Sequence, residues 1–276
     1  MTVARLLIVF WLVFASPSGG ANTVDKPAKT VLVAVDLSSS TAPHRKDYLK
    51  YFRTILDTMG EGDKLLVVKI SERPATGESL AIPAIEYETG SVLKNSHKIK
   101  AINLTHSLGA LKAFEKLLAT HVDETPILEV TQGIPRLLSL YKSERLVMVY
   151  LSDMMEYSRT TANFESTKPV FNRKAAEDAF SKLKRDGRIA SLQGVTIYVA
   201  GARELESDKH NAVVAAARRE AVKWFWASYF SASGAKLGEN AYAADLLQFD
   251  ALECNTPNDA CRNGVFTQER DKRLTK

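Results

Sequence analysis

A carboxylate and a run of hydroxyl side chains directly follow a strongly apolar stretch near the start of the chain. Residues 31–35 (V-L-V-A-V) are apolar and mostly β-branched, which predicts a strand buried on both faces of a sheet. Asp36 comes next, and residues 38–41 are all Ser or Thr. Ligands of open α/β sheets bind outside the carboxyl ends of the strands, so this position favours a binding site. Asp and Ser after a strand are also common helix caps and turn formers, which is the alternative interpretation.

A second buried strand is predicted to end on an aspartate. Residues 145–152 (R-L-V-M-V-Y-L-S) form another apolar run, and Asp153 follows it. Two predicted strands therefore present a carboxylate at the same relative point.

The chain between and after these strands alternates between strand-like and helix-like patterns. Helical spacing of apolar residues predicts helices at residues 45–59, 99–119, 126–141, 174–185 and 211–230, and apolar runs predict strands at residues 64–71, 81–87 and 194–200. Pro83 would confine the strand at 81–87 to a sheet edge. Strands separated by helices imply a doubly wound, mostly parallel α/β sheet with helices on both faces. We expect one domain at residues 29–232 and a less regular C-terminal extension at residues 233–276.

The order of five oxygen-bearing residues resembles a known metal site. Asp36, Ser38 and Ser40 form D-x-S-x-S after the first strand, Thr125 precedes a later helix, and Asp153 ends a later strand. This set is similar to the metal-ion-dependent adhesion site of von Willebrand factor type A domains, the fold shared with integrin I domains. The resemblance covers approximately residues 29–230. It implies a doubly wound sheet with one antiparallel edge strand, and a bound divalent cation whose last coordination position is often filled by an acidic group of a protein partner.

The chemistry of the five residues agrees with that implication. Carboxylates and hydroxyls are oxygen ligands, which suit Mg²⁺, Mn²⁺ or Ca²⁺ better than zinc or copper. Two carboxylates would leave the metal a residual positive charge that attracts an Asp or Glu of a partner.

The sequence departs from the family pattern at three points. The glycine often found inside the first motif is replaced by Ser39, and the glycine that commonly follows the last aspartate is replaced by Met154. The interval from Asp36 to Thr125 is long, and Thr105 and Thr131 are alternatives to Thr125.

The first 21 residues have the pattern of a secretory signal peptide. Arg5 precedes a short apolar run, and small residues follow it. An uncleaved N-terminal anchor is the alternative, and no later segment is predicted to span a membrane. The only two cysteines, Cys254 and Cys261, flank a turn-forming sequence and are predicted to form a disulfide. We therefore expect a secreted or periplasmic protein.

The charge and the loop sequence disfavour some classes of function. A net charge of +5 with Lys and Arg spread along the chain does not favour a nucleic-acid groove. We expect a protein-binding domain that is not an enzyme. Two alternatives stay open: a metal-free interaction scaffold in an envelope or extracellular assembly, and a phosphotransfer enzyme using Asp36, against which the lack of glycine in the 36–41 loop argues.

Overall fold

Six strands form a single sheet in the order β3-β2-β1-β4-β5-β6. The computed structural model describes residues 27–71, 80–90, 95–141, 143–158, 163–166, 170–203, 208 and 210–254. The strands are β1 (Lys29–Asp36), β2 (Lys64–Ile70), β3 (Leu80–Glu86), β4 (Arg145–Leu151), β5 (Val195–Ala200) and β6 (Lys236–Ala243). The helices are α1 (Arg45–Asp57), α2 (Ser96–Leu118), α3 (Ile127–Leu140), α4 (Arg173–Arg185), α5 (Ala212–Ala232) and α6 (Phe249–Glu253).

The pairing confirms the predicted sheet. β1 lies at the centre and pairs in parallel with β2 and β4, and β5 continues the parallel arrangement. β3 pairs antiparallel with β2 and forms one edge, as the proline in the predicted edge strand indicated.

Alternating side chains of β1 contribute to two separate cores. Leu32 and Ala34 belong to one core, to which α3, α4 and α5 contribute. Val31, Val33 and Val35 belong to the other, together with residues of α1 and α2. Both faces of the central strand are therefore buried under helices, which explains its apolar run.

The C-terminal boundary at residue 232 needs correction. Residues 236–243, which we expected in an irregular extension, form β6 and pair in parallel with β5. The sequence K-L-G-E-N-A-Y-A has no apolar run, because an edge strand with few buried positions needs none. In the described part of the chain, β6 forms the second edge of the sheet.

Buried polar contacts attach α6 to the amino ends of the central strands. The Lys29 ammonium donates to the backbone oxygens of Thr58 and Glu253, at 2.6 and 2.7 Å, and lies 3.4 Å from Asp63 Oδ2. Tyr198 donates to Glu253 Oε1 at 2.8 Å, and Arg145 pairs with the other oxygen of that carboxylate. The chain up to residue 253 is thus part of the folded domain.

The predicted signal peptide and most of the C-terminal segment lie outside the described residues. Cys254 is described but Cys261 is not, so the disulfide stays a prediction. Within the described part of the chain, no helix has the length and apolar character that crossing a membrane requires.

Candidate functional site

The candidate site lies where β1 and β4 end side by side. The two strands run in parallel with Val35 opposite Leu151, so Asp36 and Asp153 emerge at the same edge of the sheet. The helix that follows β1 packs in one core and the helix that follows β4 packs in the other. Neighbouring parallel strands whose connections leave to opposite faces open a crevice at their carboxyl ends, the usual ligand position of doubly wound sheets.

The loop after β1 brings two of its hydroxyls together. Asp36 Oδ1 accepts a hydrogen bond from the Ser38 backbone N–H at 2.9 Å, which tightens the loop into an Asx turn. The Ser38 and Ser40 hydroxyl oxygens lie 3.1 Å apart. The Thr41 hydroxyl donates to the Asp36 backbone oxygen at 3.1 Å and fixes the loop from inside.

The loop after β4 is joined to the first loop by a serine. Ser152 donates its hydroxyl to Asp36 Oδ2 at 2.8 Å and accepts the Met154 N–H at 2.9 Å. Asp153 Oδ1 accepts the Met155 N–H at 3.0 Å, and Ser40 also hydrogen-bonds the Asp153 side chain. Four of the five predicted residues, Asp36, Ser38, Ser40 and Asp153, are therefore brought together.

Met154, directly after Asp153, adopts a backbone conformation that favours glycine. Its φ is +63°, in the left-handed region that side chains with a Cβ rarely adopt. The side chain is fully buried, and Trp226 Nε1 donates to the Met154 backbone oxygen at 2.8 Å. Burial of the side chain and this indole hydrogen bond hold the loop in that conformation.

Thr125 reaches the same edge of the sheet from a third loop. Its backbone N–H and C=O pair with those of Tyr157 at 2.9 and 3.1 Å, which attaches it to the loop that carries Asp153. The upstream Val122 N–H donates to the Leu37 oxygen at 3.2 Å, next to Asp36. Thr125 is 2% exposed, and within the described residues its hydroxyl makes no hydrogen bond.

The two alternative threonines are engaged elsewhere. Thr105 is exposed on α2 and donates to the Ala101 oxygen at 2.9 Å. Thr131 is buried in α3 between the Ile127 oxygen and the Tyr150 hydroxyl, at 2.6 and 2.7 Å. Of the three threonines, Thr125 is the one whose hydroxyl makes no hydrogen bond among the described residues.

Both aspartates of the site are buried. Asp36 is 0% and Asp153 is 6% exposed. Burial raises the pKa of Asp36, and burial together with the negative charge of Asp36 raises the pKa of Asp153 to about 8. Among the described residues, neither carboxylate forms an ion pair with Lys, Arg or His. Two adjacent carboxylates in a dry site are costly to ionise unless a cation lies between them.

Three charged residues beside the site were not predicted. Burial raises the pKa of Glu156 well above its usual range, and Glu156 Oε2 accepts the Leu128 N–H at 2.9 Å at the start of α3. Burial and the charge of Asp36 raise the pKa of Glu165. Arg45 donates to backbone oxygens of two loops. Glu156 lies three residues after Asp153 and could have been suspected, whereas Arg45 and Glu165 carry no local pattern.

The donor set fits a hard divalent cation. It consists of two carboxylates and three hydroxyls, and Mg²⁺ prefers oxygen ligands and retains several waters. In the described part of the chain, no group of three or more His, Cys, Asp or Glu is placed to hold a metal ion. Any cation here would therefore depend on the hydroxyls and on water as well as on the two aspartates.

Comparison with known proteins gives only weak likenesses. No family model matches the sequence, and no curated protein matches it. Among solved structures, the chain is similar to proximal thread matrix protein 1 from the mussel byssus, with 12% identity over 86% of this chain and 46% of that one and a TM-score of 0.39. A von Willebrand factor type A protein from Catenulispora acidiphila shows 14% identity over 75% and 43% of the two chains, with a TM-score of 0.38. An aerotolerance-related membrane protein from Bacteroides fragilis shows 12% identity over 87% and 100%, with a TM-score of 0.37.

The chain spans less than half the length of the first two of these proteins. Likenesses at this identity and TM-score do not establish a family.

Proposed function

We propose that the protein is an exported, non-enzymatic interaction domain of the von Willebrand factor A type. It binds Mg²⁺, Mn²⁺ or Ca²⁺ through Asp36, Ser38, Ser40, Thr125 and Asp153. The bound cation then takes an Asp or Glu side chain of a protein partner.

One observation supports this proposal above the others. Two buried carboxylates and two serine hydroxyls converge at the carboxyl ends of β1 and β4, and within the described residues no cationic side chain pairs with either carboxylate. Hydrogen bonds from Ser38, Ser152 and Met155 hold the carboxylates in place. A divalent cation would neutralise the pair and convert an unfavourable arrangement into a binding site.

The partner contact follows from charge. A divalent cation held by two carboxylates, hydroxyls and water would still be able to take a third carboxylate as a ligand. Attraction between the bound cation and a partner's carboxylate weakens as ionic strength rises. Export rests on the signal-like first 21 residues of the sequence.

The alternatives are less favoured by the geometry. A phosphotransfer enzyme would need Asp36 as an accessible nucleophile, but Asp36 is fully buried and both its carboxylate oxygens accept hydrogen bonds. In a metal-free scaffold, the buried carboxyl groups of Asp36 and Asp153 would serve only as acceptors of hydrogen bonds within the loops.

The first prediction concerns thermal stability with and without cations. In excess Mg²⁺, Mn²⁺ or Ca²⁺, at about a hundredfold Kd, we expect the melting temperature to exceed that in EDTA by about 5–10 °C, since ligand binding would add about 2.7 kcal/mol. Asp36→Asn and Asp153→Asn should abolish the cation response.

Asp178→Asn is the matched control, because Asp178 lies on the exposed face of α4. It should respond to cations as the wild type does. A wild-type protein whose melting temperature ignores all three cations would contradict the proposal and favour the metal-free scaffold.

A further inference from the structure

Arg45, the first residue of α1, contacts two of the loops that build the candidate site. Its Nη2 donates to the Leu37 backbone oxygen at 2.6 Å and to that of Ser38 at 3.3 Å. Its Nη1 donates to the Leu118 and Thr120 backbone oxygens at 2.9 and 2.8 Å. One guanidinium group therefore bridges the loop that carries Ser38 and Ser40 to the segment that leads to Thr125.

The position of Arg45 is not explained by helix formation. A cation at the amino end of a helix opposes the helix dipole, and Arg45 makes no cap at the start of α1. Leu118 is the last residue of α2, so the guanidinium instead satisfies a carbonyl at the favourable, negative end of another helix. These contacts reach 73 and 75 residues along the chain.

The segment between α2 and α3 is hydrogen-bonded to the loop after β1 and to the loop after β4. Arg45 and the Val122 N–H fix its first half to the loop after β1. The Thr125–Tyr157 backbone pair fixes its second half to the loop after β4. The segment that carries Thr125 is thus attached to both of the loops that carry the aspartates, and Arg45 supplies the side-chain part of that attachment.

We propose that Arg45 is a positioning residue of the cation site, which sets the distance between Thr125 and the Asp36–Ser40 loop. This inference rests on the proposed function. Arg45 does not ligate the cation; it acts through the two backbone segments that it joins. Loss of such supporting residues typically lowers metal affinity 10–100-fold.

A purely electrostatic role of Arg45 predicts the opposite change in cation affinity, which makes the inference testable. Arg45 is positively charged and near Asp36. If it acted only by repulsion, its removal would raise the affinity for a divalent cation. If it acts by positioning, removal lowers that affinity, and Lys, which keeps the charge but lacks the planar fork of donors, does not replace it.

The experiment measures Mn²⁺ binding and hydrogen exchange on the full chain. Electron paramagnetic resonance of free Mn²⁺ gives the dissociation constant for the wild type, Arg45→Lys, Arg45→Met and Arg53→Met. Arg53 is an exposed arginine of the same helix and serves as the control. Hydrogen exchange in EDTA reports the protection of residues 119–126 independently of any metal.

We expect both Arg45 variants to bind Mn²⁺ at least tenfold more weakly and to exchange faster in residues 119–126, and Arg53→Met to match the wild type in both measurements. Wild-type affinity in Arg45→Lys, or higher affinity in Arg45→Met, would overturn the role of Arg45 while leaving the cation site in place. A wild type that binds no Mn²⁺ would overturn the cation site itself.

Discussion

At the scale of single residues, the site combines buried acids with strained backbone. Asp36 and Asp153 serve as turn-forming acceptors and, in our proposal, as metal ligands, so the two interpretations of the sequence are compatible. The turn hydrogen bonds go to Oδ1 of each carboxylate, and Ser152 also donates to Asp36 Oδ2. Each carboxylate oxygen carries two lone pairs, and those that these bonds leave are what a cation would need.

The raised carboxyl pKa values predict an unusual pH dependence without cations. The unfolded chain releases these protons near pH 4, whereas the folded protein retains them, up to about pH 8 at Asp153. Because the folded state then binds more protons, stability falls as pH rises from 4 to 8. We expect the melting temperature in EDTA to decrease over this range.

Asp153→Asn should make the melting temperature fall less steeply with pH, since it removes one of the carboxyl groups that retain a proton in the folded state. Glu156 keeps a raised pKa in the variant and preserves part of the effect. Saturating Mg²⁺ should also flatten the profile, because the cation holds both aspartates ionised. A wild-type melting temperature in EDTA that rises from pH 5 to pH 8 would contradict the burial of ionisable carboxyls at this edge.

At most buried positions an Ala variant is more stable than a Gly variant, and the left-handed backbone at Met154 predicts the reverse there. Met154→Ala and Met154→Gly both remove a buried side chain, but Gly tolerates a φ of +63°. We expect the Gly variant to be more stable than the Ala variant by about 1 kcal/mol in urea unfolding. Met148, fully buried in β4, is the control, and there Gly should be the less stable of the two.

At the scale of elements, most of the architecture followed from apolar patterns. Strands β1 to β5 and helices α1 to α5 were predicted within three residues at each end, because apolar runs and helical spacing are local properties. β6 and α6 were missed, since an edge strand and a five-residue helix require little apolar sequence. Asp36 and Asp153 were identifiable because strand ends mark the sheet edge, whereas the contacts of Arg45 span more than 70 residues and leave no local pattern.

The positions of β6 and α6 predict which truncated chains still fold. A chain of residues 27–232 lacks β6, which leaves β5 as an open edge, and loses the Glu253 contacts with Lys29, Arg145 and Tyr198. We expect it to aggregate or to lack a cooperative thermal transition, whereas a chain of residues 27–254 should be a stable monomer.

Size-exclusion chromatography and near-ultraviolet circular dichroism distinguish the two chains. A chain of residues 27–248, which retains β6 but not α6, should fold with intermediate stability. If the chain ending at residue 232 folded as stably as the longer ones, the terminal strand and helix would not belong to the cooperative unit.

At the scale of the whole molecule, the Lys29–Glu253 contact fixes where the described chain enters and leaves the domain. Lys29 begins β1 and Asp36 ends it, so the contact lies roughly 20 Å from the candidate site along an eight-residue strand. The two ends of the described chain are neighbours at the start of β1, and the oxygen cluster lies at the opposite end of that strand. A tether or fused module attached at either end would hold the domain at the amino ends of the central strands, with the oxygen cluster facing away from the attachment. A pulling force applied between the two ends would load the buried Lys29 ammonium and its partners before it reached the loops after β1 and β4.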